Sequence, residues 1–163
     1  MPSTRTLFLL SLAVLMGCAT EKSAAEKPAA ANPPAIKNFA LTAGEEVPPC
    51  PAAGPGAQGT ANVTLSPDES SLTATVNYSG LSGPATAAHI HAGKAGVAGP
   101  VVLPFSGDLS SPINKTFTAA DYVAAPNAPP DFPSFVQSLK SGGAYVNVHT
   151  AACKPGEIRG QIP

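Results

Sequence analysis

The chain has 163 residues with nine Lys plus Arg against ten Asp plus Glu, so at a net charge of −1 it offers no basic stripe for phosphates and no nucleic-acid partner is expected. Once its terminal segments are set aside, roughly 130 residues remain, enough for one modest core and not for two. No internal repeat and no heptad pattern is present, which excludes solenoids and coiled coils.

Residues 1–17 read as a signal segment, with Arg5 as its positive start and Leu7–Met16 as an apolar run too short to span a bilayer. The next step, Leu15-Met16-Gly17-Cys18, resembles the lipobox of bacterial lipoproteins, with Met16 in place of the usual small residue. That resemblance implies acylation of Cys18, and several acyl chains on one residue make membrane anchoring effectively permanent. The alternative is an ordinary signal peptide cut nearby, leaving Cys18 as a free thiol. Ala19 after Cys18 resembles lipoproteins sent to an outer membrane, so a cell-envelope location facing the periplasm or the cell surface is expected. Ala19–Pro34 holds no aromatic residue and no aliphatic larger than Ala, so residues 18–36 are expected to be a tether and residues 37–163 the folded domain.

From Lys37 the apolar residues recur with a period of two in short runs separated by Gly, Pro, Ser and Asn. Expected strands are Asn38–Ala43, Gly59–Leu65, Ser71–Tyr78, Ala87–Ala92, Pro100–Pro104, Ile113–Phe117, Ala144–Thr150 and Glu157–Ile162. This pattern predicts an all-β fold, an antiparallel Greek-key-like sandwich or barrel of about eight strands with one or two short helices. Pro67-Asp68 fits a tight turn joining the second and third strands as a hairpin. Thr118 is expected to cap a helical turn, and Ser134 a helix over Phe135–Lys140 that buries Phe135, Val136 and Leu139 and ends at Gly142. Asp121 and Asp131 sit where capping explains them.

With Cys18 assigned to lipid, Cys50 and Cys153 remain as an even pair in a compartment that permits disulfides, and a bridge between them is expected. Two separate buried thiols are the alternative. A two-cysteine metal site is disfavoured because neither has a second Cys or a His at ligand spacing.

The chain's three histidines all fall in two expected strands, in Ala88-His89-Ile90-His91-Ala92-Gly93 and Tyr145-Val146-Asn147-Val148-His149-Thr150. Alternation puts His89 and His91 on one side with Ile90 opposite, and Tyr145, Asn147 and His149 on the side away from Val146 and Val148. If the two strands meet, three imidazoles converge, a set suited to copper or zinc, with Tyr145, Glu157 or water completing the shell. Gly93, Gly96 and Gly99 allow a loop to fold close over such a site. The alternative is that the rings hydrogen-bond to carbonyls and order loops.

The order Phe39-Ala-Leu-Thr-Ala-Gly-Glu-Glu-Val-Pro-Pro, then Ala88-His-Ile-His-Ala-Gly followed by Gly-Pro-Val-Val, then Tyr145-Val-Asn-Val-His-Thr and Gly156-Glu-Ile-Arg-Gly-Gln-Ile resembles the CHRD (chordin-type) domain over residues 37–162. The resemblance implies a β-rich extracellular or secreted module without a settled activity. That family often carries Val at the place of Cys50 and Asn near that of Cys153, and paired departures are what a bridge would require. The histidine pattern is also similar to that of copper/zinc superoxide dismutase, by analogy only, since a two-metal site there draws on more histidines than this chain has. Glu157 and Arg159, two apart on the last strand, read as a cross-strand ion pair or a solvated face. No Gly-x-Ser-x-Gly elbow and no phosphate-binding Gly-rich loop with its Lys is present, so catalysis is not expected unless it is copper-dependent redox chemistry. Exposed edges would equally suit a non-catalytic module binding another envelope protein.

Overall fold

The computed structural model describes residues 35–163; the signal segment, Cys18 and the body of the tether lie outside the described residues. The chain runs β1 (Ala35–Thr42), a 3-10 turn (Ala43–Glu45), β2 (Gln58–Leu65), β3 (Ser71–Ser79), β4 (Ala85–Ala92), β5 (Val101–Pro104), β6 (Ile113–Thr118), a 3-10 turn (Ala119–Asp121), α1 (Phe132–Lys140), β7 (Ala144–Thr150) and β8 (Ile158–Gln161). All eight strands join one antiparallel sheet in the order β5-β4-β7-β8-β1-β2-β3-β6. Its two edges curl together: Lys115 Nζ on β6 donates to the Pro104 carbonyl on β5 at 3.2 Å, and Phe105 meets Phe117 edge to face at 5.1 Å. The sheet is thus nearly closed, and the all-β expectation holds.

Alternation builds the core. Ala61, Val63 and Leu65 on β2, Leu72, Ala74 and Val76 on β3, Ile90 on β4, Val146 and Val148 on β7 and Ile158 on β8 are all buried in one apolar cluster. Each large aliphatic fully buried there stabilises the fold by about 1.5–3 kcal/mol relative to exposure. The expected hairpin pairs Leu65 with Leu72, and Asp68 Oδ1 accepts from Ser66 Oγ and Ser70 N at 2.7 and 3.1 Å in its turn.

α1 closes the core with Phe132, Phe135, Val136 and Leu139. It starts earlier than the sequence suggests. Asp131, not Ser134, is the cap: its carboxylate accepts from Ser134 N at 2.8 Å, and Pro133 fits the first turn because its missing N–H would have no partner there. Gly142 ends the helix in the left-handed region at φ +72, as expected. Thr118 and Asp121 form a capping box around the shorter turn. The bridge between Cys50 and Cys153 is present and closes a separation of 103 residues.

Candidate metal centre

β4 and β7 are neighbours, the second and third strands from the β5 edge, and their pleat sends Ile90, Val146 and Val148 into the core and His89, His91, Tyr145, Asn147 and His149 to the outer face. Across the ladder His89 lies beside Asn147, His91 beside Tyr145, and His149 beside Ala87, whose methyl leaves room for the imidazole to lean toward His89. A register shift at Ile90/His91 leaves Val102 as the extra residue of a bulge on β5, next to the site. The rings meet: His89 Nδ1 and His149 Nε2 are 3.0 Å apart, and one ring nitrogen from each of His89, His91 and His149 lies within 4.8 Å of the others.

Simple alternation would leave this outer face wet, yet all seven residues of β7 are buried. Three loops cover it. Gly99 places its carbonyl 2.9 Å from His91 Nδ1, Lys154 places its carbonyl 2.8 Å from His149 Nδ1, and Glu46 reaches Asn147 from the turn after β1. A carbonyl only accepts, so both rings carry their proton on Nδ1 and a lone pair on Nε2. The Nε2 lone pair of His149 accepts from His89 Nδ1–H, whereas that of His91 is buried without a partner. Burial pushes the pKa values of His89 and His91 down to about 4, the charges of the neighbouring histidines adding at His89 and the Gly99 hydrogen bond opposing at His91. Burial lowers His149 as well, against the Lys154 bond. The cluster is therefore three neutral imidazoles at neutral pH, the form in which they ligate metals.

Tyr145 supports this cluster from the side. Its ring stacks on His91 at 4.6 Å and 11°, and the Arg159 guanidinium lies over its other face at 3.5 Å. The Tyr145 hydroxyl accepts from Gly99 N at 3.0 Å, and Arg159 Nη2 donates to the Lys94 carbonyl at 2.9 Å, so both fasten the glycine loop that orients His91. Glycine is required at position 99, where a Cβ would collide with the Ala92 carbonyl.

Glu157 takes another position. β8 begins at Ile158, so strand alternation does not extend to Glu157, which is fully buried in the loop before it and lies outside the histidine cluster. Its carboxylate accepts from Gly54 N at 2.9 Å and from Ser82 N, Ser82 Oγ and Thr150 Oγ1. Burial acts to raise its pKa, but these bonds hold it below the ordinary value. Arg159 is 1% exposed and makes no ion pair with it, so the expectation of a cross-strand pair or a solvated face is corrected: loop closure buried both groups and gave each separate partners.

Sequence reasoning missed Glu46. It is 3% exposed while its neighbour Glu45 is exposed, and both of its oxygens accept from Asn147 Nδ2, at 2.7 and 2.9 Å. Nothing in the run Gly-Glu-Glu-Val-Pro-Pro distinguishes the two acids; only the path of the loop does.

No curated protein and no solved structure matches the chain. A family model described as the CHRD domain matches residues 38–162, which runs from within β1 to past the end of β8 and includes all three histidines. The chain belongs to the CHRD domain family.

Proposed function

We propose that this is a lipid-anchored envelope protein whose CHRD domain binds a single transition-metal ion through His89, His91 and His149, copper being the preferred ion and zinc the alternative. The observation that carries the reading is the convergence of three neutral rings within 4.8 Å, two of them fixed by backbone carbonyls in the tautomer that presents Nε2. An all-imidazole set suits copper and zinc, and the usual divalent order favours copper. For His89 to serve as the third donor through Nδ1, its proton would move from Nδ1 to Nε2. Half-buried His89 leaves the site an approach from solvent. Such a site handles the metal or, with copper, supports redox chemistry at an open position.

The test uses the full chain without a polyhistidine tag and with the Cys18 thiol alkylated. It is loaded with cupric or zinc ions, dialysed and analysed for metal by mass spectrometry, beside His91→Ala and His149→Ala. Stoichiometric retention by wild type and loss in both variants are expected; equal, negligible retention in all three sinks the reading. A second reading has its own support: His89, His91 and His149 already hydrogen-bond to one another or to carbonyls, as they would in a metal-free module that binds an envelope protein. That same negligible retention would favour it. The anchor is tested separately by fractionation, where Cys18→Ser should move the protein from membrane to soluble material.

A further inference from the structure

Two acids are buried among the described residues, Glu46 and Glu157, and they are treated differently. Glu157 is bonded by Gly54, Ser82 and Thr150, whereas Glu46 has Asn147 as its side-chain partner and, among the described residues, no Lys or Arg within ion-pairing distance. Around it, Asn147 Oδ1 and Arg159 Nη1 are buried without partners. Space is closed as well: at Gly156, φ +146, a Cβ would collide with Asn147 Nδ2 and both Glu46 oxygens.

Asn147 lies between His89 on β4 and Arg159 on β8 in the ladder, and shares a face with His149 two residues on. Glu46 is therefore one side chain removed from the histidines. Resting on the metal-binding reading, we infer that Glu46 is the buried counter-charge of that site, a neutral acid while the site lacks a cation and a carboxylate once one binds. The O–H bond of the Glu46 carboxyl breaks, its electron pair stays on oxygen and the proton goes to solvent. Three neutral ligands bring no negative charge of their own, so a cation places uncompensated charge beside a poorly solvated carboxyl, and at low dielectric their attraction is strong.

The groups facing Glu46 leave it this role. Among the described residues Arg159 on β8 is the charged group acting on it, Asn147 and Gly156 are neutral, Glu45 on its own turn is exposed, and the Glu157 carboxylate is bonded elsewhere. His89, His91 and His149 are already neutral near pH 7 and release no proton there. Burial, opposed by Arg159 and by the Asn147 hydrogen bonds, pushes Glu46 up to about 7, so the proton is available where binding is measured.

The experiment follows the affinity of the full chain, its Cys18 thiol alkylated, for cuprous ion under anaerobic conditions, a probe whose bound water does not ionise. Wild type should bind roughly fivefold more tightly at pH 7 than at pH 6 and level off above about 8, the slope approaching tenfold per pH unit, one proton per ion, only below about pH 6. E46Q keeps an acceptor for Asn147 and should give a flat profile with affinity weakened roughly tenfold to a hundredfold at higher pH. Thermal melting of E46Q reports whether it folds, and if it does not, the wild-type slope remains the reading. A wild type that binds with a flat profile overturns this inference alone; a wild type that binds no cuprous ion overturns the metal reading and this one with it.

Discussion

Along β7, Ala144, Val146 and Val148 point into an apolar core closed by α1, while Tyr145, Asn147 and His149, one pleat away, are buried too, under loops. The inner face gains stability from every atom it hides. The outer face hides polar atoms, three of them, His91 Nε2, Asn147 Oδ1 and Arg159 Nη1, without a partner, and each such atom costs about 1–3 kcal/mol. Stability gives no reason for that arrangement, whereas for His91 Nε2, a lone pair facing the histidine cluster, a bound cation would give one. The difference is the physical argument for placing function on the outer face and fold on the inner one.

The largest effect should come from the clamp on the outer face. Cys50 follows the segment that carries Glu46, and Cys153 precedes Lys154, whose carbonyl fixes His149. Replacing both cysteines by Ala removes a constraint on a loop of about 100 residues and should lower stability by about 4–5 kcal/mol in the chain-entropy view, read by urea denaturation. Next, Phe135→Ala opens a cavity in the inner core and should cost about 3–5 kcal/mol, while the protein that remains folded binds metal with unchanged affinity. If instead this variant loses metal, the two faces are not separable. His149→Leu is the converse. It removes the hydrogen bonds to the Lys154 carbonyl and to His89 Nδ1 and leaves both groups without that partner, so stability should fall by about 1–3 kcal/mol while metal retention disappears.

How much of this was legible in the sequence follows the same division. The inner face was legible because burial periodicity is a local signal: the hairpin and the eight strands follow from a period of two, and the buried face of α1 from the i, i+3, i+4 spacing of a helix. The histidine cluster was legible in part, since His-x-His fixes one side and the single His149 can meet it only if β4 and β7 pair. The covering of the outer face was not legible. That Glu46 is buried and Glu45 exposed depends on how a loop crosses Asn147, a contact 101 residues away in sequence. The cap of α1 was misplaced for a smaller reason of the same kind, because Asp131 and Ser134 are both good caps and Pro133 decides between them through the N–H it lacks.

The smallest and most informative effect is on the pH dependence of the metal-free protein, because the outer face holds groups shifted in opposite senses. His89 and His91 titrate near 4 in the fold and near 6.5 when unfolded, so between those values the unfolded chain binds more protons and stability falls as pH falls. Glu46 titrates near 7 in the fold and near 4.5 when unfolded, so over most of the same window the folded chain binds its proton more readily and stability rises as pH falls. The lowered carboxyls of Asp68, Asp108, Asp121, Asp131 and Glu157 add little across this window, since their contribution is lost mainly below their ordinary values of 3.8 to 4.5. With more histidines than buried acids in play, wild type should lose stability from pH 6.5 toward 4.5, by a slope set by their difference. Glu46→Gln removes the opposing group and should steepen that slope, whereas His91→Phe, which keeps an aromatic ring against Tyr145, should flatten it. Melting temperatures of the three proteins across this window decide the matter, and identical slopes would mean that the outer face does not carry the coupled charges described here.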